Sequence, residues 1–441
     1  MSNSYLSPQV AHYISQVSAS YEAMSSNALE TELYQRLAAH EQAFDHESIV
    51  LYAGTNILNP KVRAVLGTSL ASRASLGHPG AKYNKGMEEA EKLEVMTNHL
   101  LQHIFKADYA ESRIPSGSLA NLYAYMATCK AGDDIMVFHE GFAGHVSHHQ
   151  AGAAGLYGLK SHIIPCDREQ MDIDVDPFVK KAREIRPKLF VVAGSMCLYP
   201  YNLGIVREMA DEMGAYVLYD AAHMGGLIAG GHFQDPLREG AHLMGGSTYK
   251  SLGGPPAGIL LTNDSQLAEK LDRIAFPGMT ANFDMARHVA LSLALLDILD
   301  YGPSYAAQMI ANAKALAEAL AAEGVKVFSC AKGYTSSQHL AIEAHAYGGG
   351  DKTSAHLAKA NIIASGIGLP LAPMPKETQD SYNGIRLGTQ EITRWGMKEQ
   401  DMTVIAQLMG RILVKGETPE KLKPEVIAFR QSFQNLSFMR V

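Results

Sequence analysis

Short runs rich in β-branched and aromatic residues alternate with longer helical patterns through the middle of this sequence. The clearest runs are residues 134–138, 188–193 and 215–220, and a helical pattern at 206–213 separates the last two. Such alternation favours βαβ units, in which a mainly parallel sheet carries helices on both faces. Ligands of these sheets bind at the carboxyl ends of the strands. We therefore predict an α/β fold whose functional site lies at that edge.

The sequence changes character towards both of its ends. Its 441 residues, of which 47% are hydrophobic, suffice for one large and one smaller core. Leu29, Leu33 and Leu37 recur every four residues in a polar stretch, which predicts a helical arm. An Ala-rich helical pattern at 306–322, followed by strand-like residues at 326–329 and 338–342, predicts a smaller α+β domain. The predicted units are an N-terminal arm (residues 1–69), a large domain (70–298) and a small C-terminal domain (299–441).

Charge and cysteine content exclude several classes of protein. The formal net charge is −7, and no run of Lys or Arg is long enough to follow a nucleic-acid backbone or an anionic membrane. No stretch approaches the ~18 consecutive apolar residues of a membrane span, and the N-terminus lacks the pattern of an export signal. The four cysteines lie far apart, unlike those of a disulfide scaffold. We expect a cytoplasmic protein without nucleic-acid or membrane partners.

A lysine in an unusual setting is the first candidate catalytic residue. The segment GGSTYKSLGGPPAG (residues 245–258) places Lys250 between small hydroxyl residues and a glycine-rich turn. A lysine that forms imines needs partial burial, which keeps its amine nucleophilic, and small neighbours such as Ser247 that admit a flat ring. The alternative interpretation is a solvent-exposed lysine in a glycine-rich loop, since lysines are usually exposed.

An apolar strand pattern ends in an acid, Asp220, thirty residues before Lys250. A carboxylate at the end of a strand can keep a pyridinium nitrogen protonated, which makes the ring an electron sink. His223 follows three residues later, within reach of the phenolic oxygen of such a ring or of the lysine. A helix cap for Asp220 and a packed histidine are the simpler alternatives. Together with Lys250, these residues predict a site for pyridoxal 5'-phosphate (PLP).

The segment RIPSGSLAN (residues 113–121) has the composition of a helix start. The backbone N–H groups there, with the hydroxyls of Ser116 and Ser118 beside Gly117, would hold a phosphate at the positive end of the helix dipole. An ordinary helix cap has the same composition. The segment therefore supports a phosphate site only in combination with the other candidate residues.

A histidine-rich segment, EGFAGHVSHH (residues 140–149), follows one of the predicted strands. The glycine before His145 leaves an imidazole room to stack on a cofactor ring. His148 and His149 are adjacent, so their side chains point in different directions, and no carboxylate or cysteine lies at ligand spacing. We therefore expect no metal site.

One arginine of the predicted small domain lies in the segment NGIRLGTQEITRWG (residues 383–396). Arg386 stands between apolar residues, and its planar guanidinium matches an α-carboxylate in two places. A surface ion pair is the alternative. Arg394 and Trp395 have a less apolar setting, and we interpret them as structural.

In this order, the segments resemble serine hydroxymethyltransferase and its relatives among the fold-type I PLP enzymes, whose fold is that of the aspartate aminotransferases. The resemblance runs from about residue 56 to about residue 401, and its motifs lie at residues 115–121, 143–145, 220–223, 247–250, 333–339 and 384–388. It implies a homodimer or tetramer whose active sites are shared between subunits. The roles it implies are a covalent link to PLP for Lys250, pairing with the pyridine nitrogen for Asp220, ring stacking for His145, phosphate binding for Ser116, Gly117 and Ser118, proximity to the ring oxygen for Ser195 and His223, and binding of the substrate carboxylate for Arg386.

The sequence departs from the family where a neighbouring subunit's site would be completed. An ungapped match places Leu76 at the position of the family's catalytic glutamate, and Ala74 and Asn84 at the positions of two tyrosines. Loss of a proton-carrying carboxylate removes acid–base catalysis, which contributes typically 10²–10⁴-fold. The departure argues against a tetrahydrofolate-dependent reaction, and the smaller Ala74 suggests room for a bulkier or α-substituted substrate.

Further departures lie around the lysine and the substrate. Gly54 stands where the family has a serine that helps to bind carboxylate, and Tyr249 replaces the histidine before the lysine. Ala281 and Asn282 replace two glycines that help a neighbouring subunit to bind phosphate. A base is still needed near the substrate β-hydroxyl, and His145, Tyr249 and His78 are the candidates.

Four hypotheses follow from these residues. The leading one is PLP-dependent aldol or retro-aldol chemistry at the Cα–Cβ bond of a β-hydroxy amino acid such as serine, threonine or α-methylserine, carried out by a folate-independent aldolase or aldehyde transferase. The second is a folate-dependent serine hydroxymethyltransferase. The third is an amino-acid racemase, in which Lys250 and either Tyr249 or His78 would act on opposite faces. The fourth, a binding protein that has kept the fold, fits poorly with the retained cofactor residues.

Overall fold

The computed structural model describes residues 5–142, 144–378 and 380–441. Ala143, in the motif at 143–145, and residues 1–4 of the predicted arm lie outside the described residues. The helices are α1 (Pro8–Tyr21), α2 (Ser26–Glu41), α3 (Pro60–Leu66), α4 (Glu88–Phe105), α5 (Gly117–Thr128), α6 (Ala153–Leu156), α7 (Val175–Ile185), α8 (Leu203–Met213), α9 (Gly225–Ala229), α10 (Pro236–Glu239), α11 (Ser265–Arg273), α12 (Met285–Ala322), α13 (Gly350–Ala358), α14 (Gln390–Arg394), α15 (Glu399–Leu413) and α16 (Pro419–Gln431). The strands are β1 (Ile49–Val50), β2 (Tyr109–Ile114), β3 (Asp134–Val137), β4 (Lys160–Ile163), β5 (Cys166–Asp167), β6 (Asp172–Ile173), β7 (Leu189–Ala193), β8 (Tyr216–Asp220), β9 (Leu243–Ser247), β10 (Gly258–Thr262), β11 (His339–Glu343), β12 (Ile362–Ile363), β13 (Ser365–Ile367) and β14 (Gly384–Gly388).

A seven-stranded sheet in the order β2-β10-β9-β8-β7-β3-β4 forms the centre of the molecule. Strands β9, β8, β7, β3 and β4 pair in parallel, and β10 runs antiparallel to both of its neighbours. All strands except β10 therefore point the same way, and the predicted α/β fold with a mainly parallel sheet is confirmed. The three predicted strands and the helix between the last two appear as β3, β7, β8 and α8.

The sheet is covered on both faces, which explains why its central strands are apolar throughout. Along β7, Leu189 and Val191 pack into one apolar cluster, and Phe190 and Val192 pack into another on the opposite side. Successive strand residues point to opposite faces, so a strand buried on both sides cannot show a polar alternation. Every residue of β7 is buried.

A second, smaller core lies around the antiparallel sheet β11-β14-β13 and helix α15. The predicted strand at residues 338–342 appears as β11, whereas residues 326–329 contribute an isolated bridge between Val327 and Ile342 in place of a regular strand. In addition, β1 of the predicted arm pairs in parallel with β12. The N-terminal segment is thus fastened to the smaller core, a non-local pairing that no local pattern indicates.

The Ala-rich helix predicted to begin at residue 306 begins earlier. Helix α12 starts at Met285 and runs for 38 residues, with Pro303 inside it. Pro303 favours a break in the helix here, because proline disrupts the helix interior. Twenty of its residues are buried, and the helix packs against both α4 and α15, which holds it together. The boundary proposed at residues 298 and 299 therefore falls within a continuous helix.

The predicted helical arm is present as α1 and α2, and neither helix has a buried residue. None of the helices in the described ranges combines the length and apolar character needed to cross a membrane. All four cysteines are free thiols.

Candidate active site

Five chain segments meet at the carboxyl edge of the central sheet. Ser195 follows β7, Asp220 ends β8, and Lys250 follows β9. Ser116 lies between β2 and α5, and His145 lies in the loop after β3. Two adjoining cavities, of about 110 Å³ and 330 Å³, lie at this edge and share His145, His223, Tyr249 and Lys250 among their lining residues. The sequence-predicted residues are thus brought together at the predicted edge.

Lys250 is buried, which its local sequence alone left open. Its side chain lies at the boundary of the two cavities, with 8% of the residue exposed. Burial, with a smaller effect from the positive charge of Arg386, lowers the pKa of Lys250 to about 8. The backbone carbonyl of Lys250 accepts a hydrogen bond from Nδ2 of Asn56 at 2.9 Å. A buried amine with this pKa is nucleophilic near neutral pH.

Asp220 is held by a chain of buried hydrogen bonds. Its Oδ2 lies 2.9 Å from Nε2 of His148 and accepts a hydrogen bond from Nδ2 of Asn121 at 3.1 Å. Burial works to raise the pKa of Asp220, but the hydrogen bond and charge of His148 outweigh it and hold the pKa well below the ordinary value. Tyr125 completes the chain, since its hydroxyl lies 2.6 Å from Nδ1 of His148. Asp220 is therefore an ionised carboxylate aimed into the smaller cavity.

The sequence gives no sign of the contact between His148 and Asp220. No spacing rule links residues 72 positions apart. Within the described residues, no group of three or more His, Cys, Asp or Glu side chains is arranged to hold a metal ion.

His223 and Arg386 lie against each other under the larger cavity. Nη1 of Arg386 is 3.3 Å from Nε2 of His223 and also donates to the backbone carbonyl of Ser195. Because the guanidinium can only donate, Nε2 of His223 is an acceptor and Nδ1 carries the proton. Nδ1 is buried without a hydrogen-bond partner among the described residues, so it is free to donate into the cavity. Burial lowers the pKa of Arg386 to about 10.

The tautomer of His145 is likewise defined by the hydrogen-bond partners of its ring. Its Nδ1 accepts the backbone N–H of Ser147 at 3.2 Å and lies 2.7 Å from the Ser147 hydroxyl. Burial lowers its pKa to about 4, so the ring is neutral at pH 7 and its remaining proton is on Nε2. The contacts with Ser147 hold the ring in place, and its Nε2–H is a donor and not a base.

The segment from Ser116 to Ser118 forms the start of α5, as predicted. The Ser116 hydroxyl accepts from the backbone N–H of Leu119 at 3.3 Å, which caps the helix. A Cβ on Gly117 would lie 3.0 Å from Cβ of Ser247, so glycine keeps the space beside the helix start open. The buried Ser247 hydroxyl has no hydrogen-bond partner in the described part of the chain. These donors at a helix N-terminus fit an anion such as phosphate.

The smaller cavity therefore offers what a PLP molecule requires. It presents an ionised carboxylate at Asp220, the N-terminus of α5, and two groups without a partner in the described part of the chain, the N–H of His223 and the hydroxyl of Ser247. A nucleophilic amine stands at its mouth. Polar atoms buried without partners are costly unless a ligand satisfies them, so the residues present fit the group.

Some segments of the sequence differ from the family pattern. Several of their described residues do not line the two cavities of their own subunit. His78 lies 2.9 Å from Asp272 and lines a different cavity. The backbone N–H of Leu76 is held by Asn84, and that of Ser75 by Asn282. His78 is thus removed from the candidate bases of its own subunit. Tyr249 remains, since it lines both cavities and its ring centroid is 5.8 Å from Nζ of Lys250.

Two tyrosines of the larger cavity were missed by the sequence analysis. Tyr52 and Tyr382 line it together with Arg386. Tyr52 lies in the predicted arm and Tyr382 in a polar loop, so neither carried a motif. Their proximity to Arg386 depends on the way the N-terminal segment docks on the smaller core.

The chain is similar to known proteins in both sequence and fold. The family model for serine hydroxymethyltransferase matches residues 27–409. An alpha-methylserine aldolase of Ralstonia sp is 44% identical over 97% of this chain and 97% of its own length, and a serine hydroxymethyltransferase of Pyrococcus horikoshii is 39% identical over 90% of this chain and 94% of its own. The crystal structure of an L-threonine transaldolase from Pseudomonas fluorescens superposes with a TM-score of 0.84 at 23% identity, covering 94% of both chains. That likeness shows the shared fold.

Proposed function

The chain belongs to the serine hydroxymethyltransferase family, and from that premise we propose that it is a folate-independent, PLP-dependent aldolase or aldehyde transferase. Its substrate would be a β-hydroxy amino acid such as α-methylserine, serine or threonine, and its product an amino acid and an aldehyde. The observation that carries the proposal is the buried Lys250, with a pKa lowered to about 8, in one site with Asp220 and Arg386. The similarity to alpha-methylserine aldolases favours cleavage of the Cα–Cβ bond.

PLP is the cofactor of this family, and we propose that Lys250 carries it as an imine. When bound, the cofactor withdraws electrons from Cα and so weakens the bonds to that atom. Asp220 would hold a proton on the pyridine nitrogen, and Nδ1 of His223 would donate to the ring oxygen. The start of α5 and the Ser247 hydroxyl would bind the phosphate, and His145 would stack on the ring.

Substrate orientation would come from the larger cavity. Arg386 is the cation that would bind the α-carboxylate, and its Nε is buried without a partner among the described residues. A bidentate contact fixes the amino acid against rotation, so that the bond to be broken is aligned. Lys250 would lie beside Cα, where an amine with a pKa of about 8 can take up or give a proton.

Tyr249 is the proposed proton carrier at the β-oxygen. In cleavage the β-hydroxyl loses its proton, the Cα–Cβ bond breaks and the aldehyde leaves; in the reverse direction the oxygen regains the proton. Burial raises the pKa of Tyr249, which favours the protonated phenol that serves the reverse step. By microscopic reversibility the same group takes the proton in cleavage.

We further propose a cytoplasmic homodimer or tetramer whose sites are completed by the segment around Leu76 of a neighbouring subunit. Leu76 lies away from its own subunit's cavities, which is what a residue serving another site requires. An apolar side chain there cannot carry a proton, and this supports cleavage without tetrahydrofolate.

A folate-dependent hydroxymethyltransferase is the second candidate. It is favoured by the 39% identity to the serine hydroxymethyltransferase of Pyrococcus horikoshii. It would require another group to take the place of the carboxylate that Leu76 replaces.

Aldehyde release from a panel of amino acids tests the proposal. The holoenzyme is incubated with α-methylserine, serine and threonine in the absence of folate, and the aldehyde is trapped and quantified. We expect release from at least one of them, and no release by Lys250→Ala. Solvent deuterium entering alanine, with loss of optical activity and without aldehyde, would indicate a racemase.

A further inference from the structure

A short turn of the N-terminal segment is fixed between the strand that carries Arg386 and the loop that carries Lys250. The backbone N–H of Gly388 donates to the carbonyl of Leu51 at 2.8 Å. Nε2 of Gln390 donates to the carbonyls of Tyr52 and Thr55, at 3.1 Å and 2.8 Å. The next residue, Asn56, donates to the carbonyl of Lys250. The turn from Tyr52 to Thr55 is therefore a rigid part of the site wall.

Gly54 is the residue of this turn that decides where the Tyr52 ring lies. A Cβ on Gly54 would lie 2.7 Å from Cζ and 2.8 Å from Oη of Tyr52. Contacts this short are not tolerated, so any side chain at position 54 would displace the phenol. The hydroxyl of Tyr52 thus occupies the place where a side chain at position 54 would begin.

The phenol shares its cavity with Arg386, which has no ion-pair partner among the described residues. Tyr52, Gly54 and Arg386 line the same cavity of about 330 Å³. Burial lowers the pKa of Arg386 to about 10, so its guanidinium is a cation with little solvent around it.

A bound carboxylate needs more donors than Arg386 has free. An ionised carboxylate has two oxygens with about four lone pairs to satisfy. Nη1 of Arg386 already donates to Ser195 and faces His223, and Nη2 lies 3.4 Å from the Ser365 hydroxyl. A further neutral donor on the same wall would complete the site, and the Tyr52 hydroxyl is such a donor.

We propose that Tyr52 is a substrate-binding residue whose hydroxyl donates to the carboxylate held by Arg386, and that Gly54 is the residue that makes room for it. The Tyr52 and Gly54 pair therefore determines specificity for amino acids over amines. This inference rests on the proposed function, since it takes the ligand of Arg386 to be an amino-acid carboxylate.

The first test removes the hydroxyl and keeps the ring. Tyr52→Phe holoenzyme is titrated with α-methylserine and with 2-aminoethanol, which lacks a carboxylate, and the Kd of each is read from the cofactor spectrum. A hydrogen bond to a charged group accounts for about tenfold or more in affinity, so the Kd for α-methylserine should rise by at least that factor. The Kd for 2-aminoethanol should change by less than about twofold.

A matched control is Tyr157→Phe, which removes a hydroxyl that contacts the carbonyl of Cys129 outside the site. It should leave both Kd values unchanged. An unchanged Kd for α-methylserine in Tyr52→Phe, or an equal rise for both ligands, overturns the inference.

The second test moves the ring and keeps the hydroxyl. Gly54→Ala should raise the Kd for α-methylserine as much as Tyr52→Phe does, because the phenol must leave its place. The double variant should be no weaker than either single variant, since both remove the same contact. Gly67→Ala is the control, because a Cβ there meets only the carbonyl of Ala64 at 3.8 Å. Additive losses would contradict the inference.

These readouts separate the inference from the proposed function. Binding is measured without turnover, so an enzyme that releases no aldehyde can still show the selective loss in Tyr52→Phe, and then only the proposed reaction fails. If the wild-type enzyme binds 2-aminoethanol as tightly as α-methylserine, the carboxylate subsite itself is refuted.

Discussion

At the scale of single residues, burial and the hydrogen-bond partner of each side chain together set the pKa values in the site. Lys250, His145 and Arg386 all have their pKa values lowered by burial, while Asp220 stays ionised because of His148. The result at pH 7 is a lysine of which roughly a tenth is the neutral amine, beside a neutral imidazole and a fixed negative charge. Each of these states can be checked by removing one partner.

The lowered pKa of Lys250 predicts how cofactor loading depends on pH. Only the neutral amine attacks the PLP aldehyde, and with a pKa of about 8 roughly a tenth of it is neutral at pH 7, against about one part in 3,000 at the ordinary value of 10.5. The rate of apoenzyme reconstitution, followed by absorbance, should therefore rise with pH up to about 8 and then level off. A rate that continues to climb to pH 10 would mean an unperturbed lysine.

Substitution of His148 tests whether this histidine keeps Asp220 ionised. His148→Asn removes the contact at 2.9 Å, so burial should raise the pKa of Asp220 and weaken its hold on the pyridine nitrogen. We expect the Kd for PLP to increase about tenfold, as for other buried bonds to a charged group. His149→Asn is the matched control, because that neighbouring side chain does not contact Asp220. Equal effects of the two variants would exclude the proposed support.

The role of Tyr249 is tested by comparing how its substitution changes kcat and how it changes the Kd for the amino acid. Tyr249→Phe should lower kcat for aldehyde release by 10²–10⁴-fold, the range for an acid–base group, and leave the Kd for the amino acid nearly unchanged. Tyr52→Phe should do the opposite. If kcat of Tyr249→Phe stays within about threefold of the wild-type value, another group carries the proton.

At the scale of secondary-structure elements, the start of α5 is the part of the site most sensitive to added bulk. Gly117→Ala places a Cβ 3.0 Å from Cβ of Ser247, in the space proposed for the phosphate. The Kd for PLP should rise about tenfold, measured by fluorescence titration of the apoenzyme. Gly204→Ala near the start of α8, where the nearest atom to a Cβ is 3.5 Å away, should bind PLP normally. Indistinguishable affinities would place the phosphate elsewhere.

Elements with a local signature could be predicted from the sequence, and elements fixed by distant contacts could not. Strands β7 and β8 have apolar runs bounded by helical patterns. Asp220 ends β8, and Lys250 and His145 lie in the segments after β9 and β3. The continuity of α12 through Pro303, the pairing of β1 with β12 and the placing of Tyr52 beside Arg386 all depend on packing between segments far apart in the chain. The sequence therefore indicated the cofactor side of the site and missed part of the substrate side.

At the scale of the whole molecule, the N-terminal arm leaves apolar side chains in solvent. Leu29, Leu33 and Leu37 of α2 are 40%, 55% and 53% exposed. Exposed apolar surface of this kind marks interaction sites, which supports the proposed association of subunits. The chain has a mass of 47.7 kDa, and light scattering should therefore give a molar mass of at least about twice that value.

Charged substitutions on this helix should weaken the assembly. We expect Leu33→Asp with Leu37→Asp to shift the scattering mass towards the monomer, because two charges would have to be buried in the interface. Val404→Asp is the control: Val404 lies on α15 and is 37% exposed, and its substitution should leave the mass unchanged. A double variant with the wild-type mass would place the interface on another surface.

The central claim, cleavage of a β-hydroxy amino acid without folate, is tested most directly by one ratio. The measurement is kcat/KM for the conversion of α-methylserine to alanine and formaldehyde, with and without saturating tetrahydrofolate. We predict a ratio close to one, because Leu76 offers no proton carrier for a folate-linked step. Cleavage that is undetectable without tetrahydrofolate, and restored by it, would contradict the account.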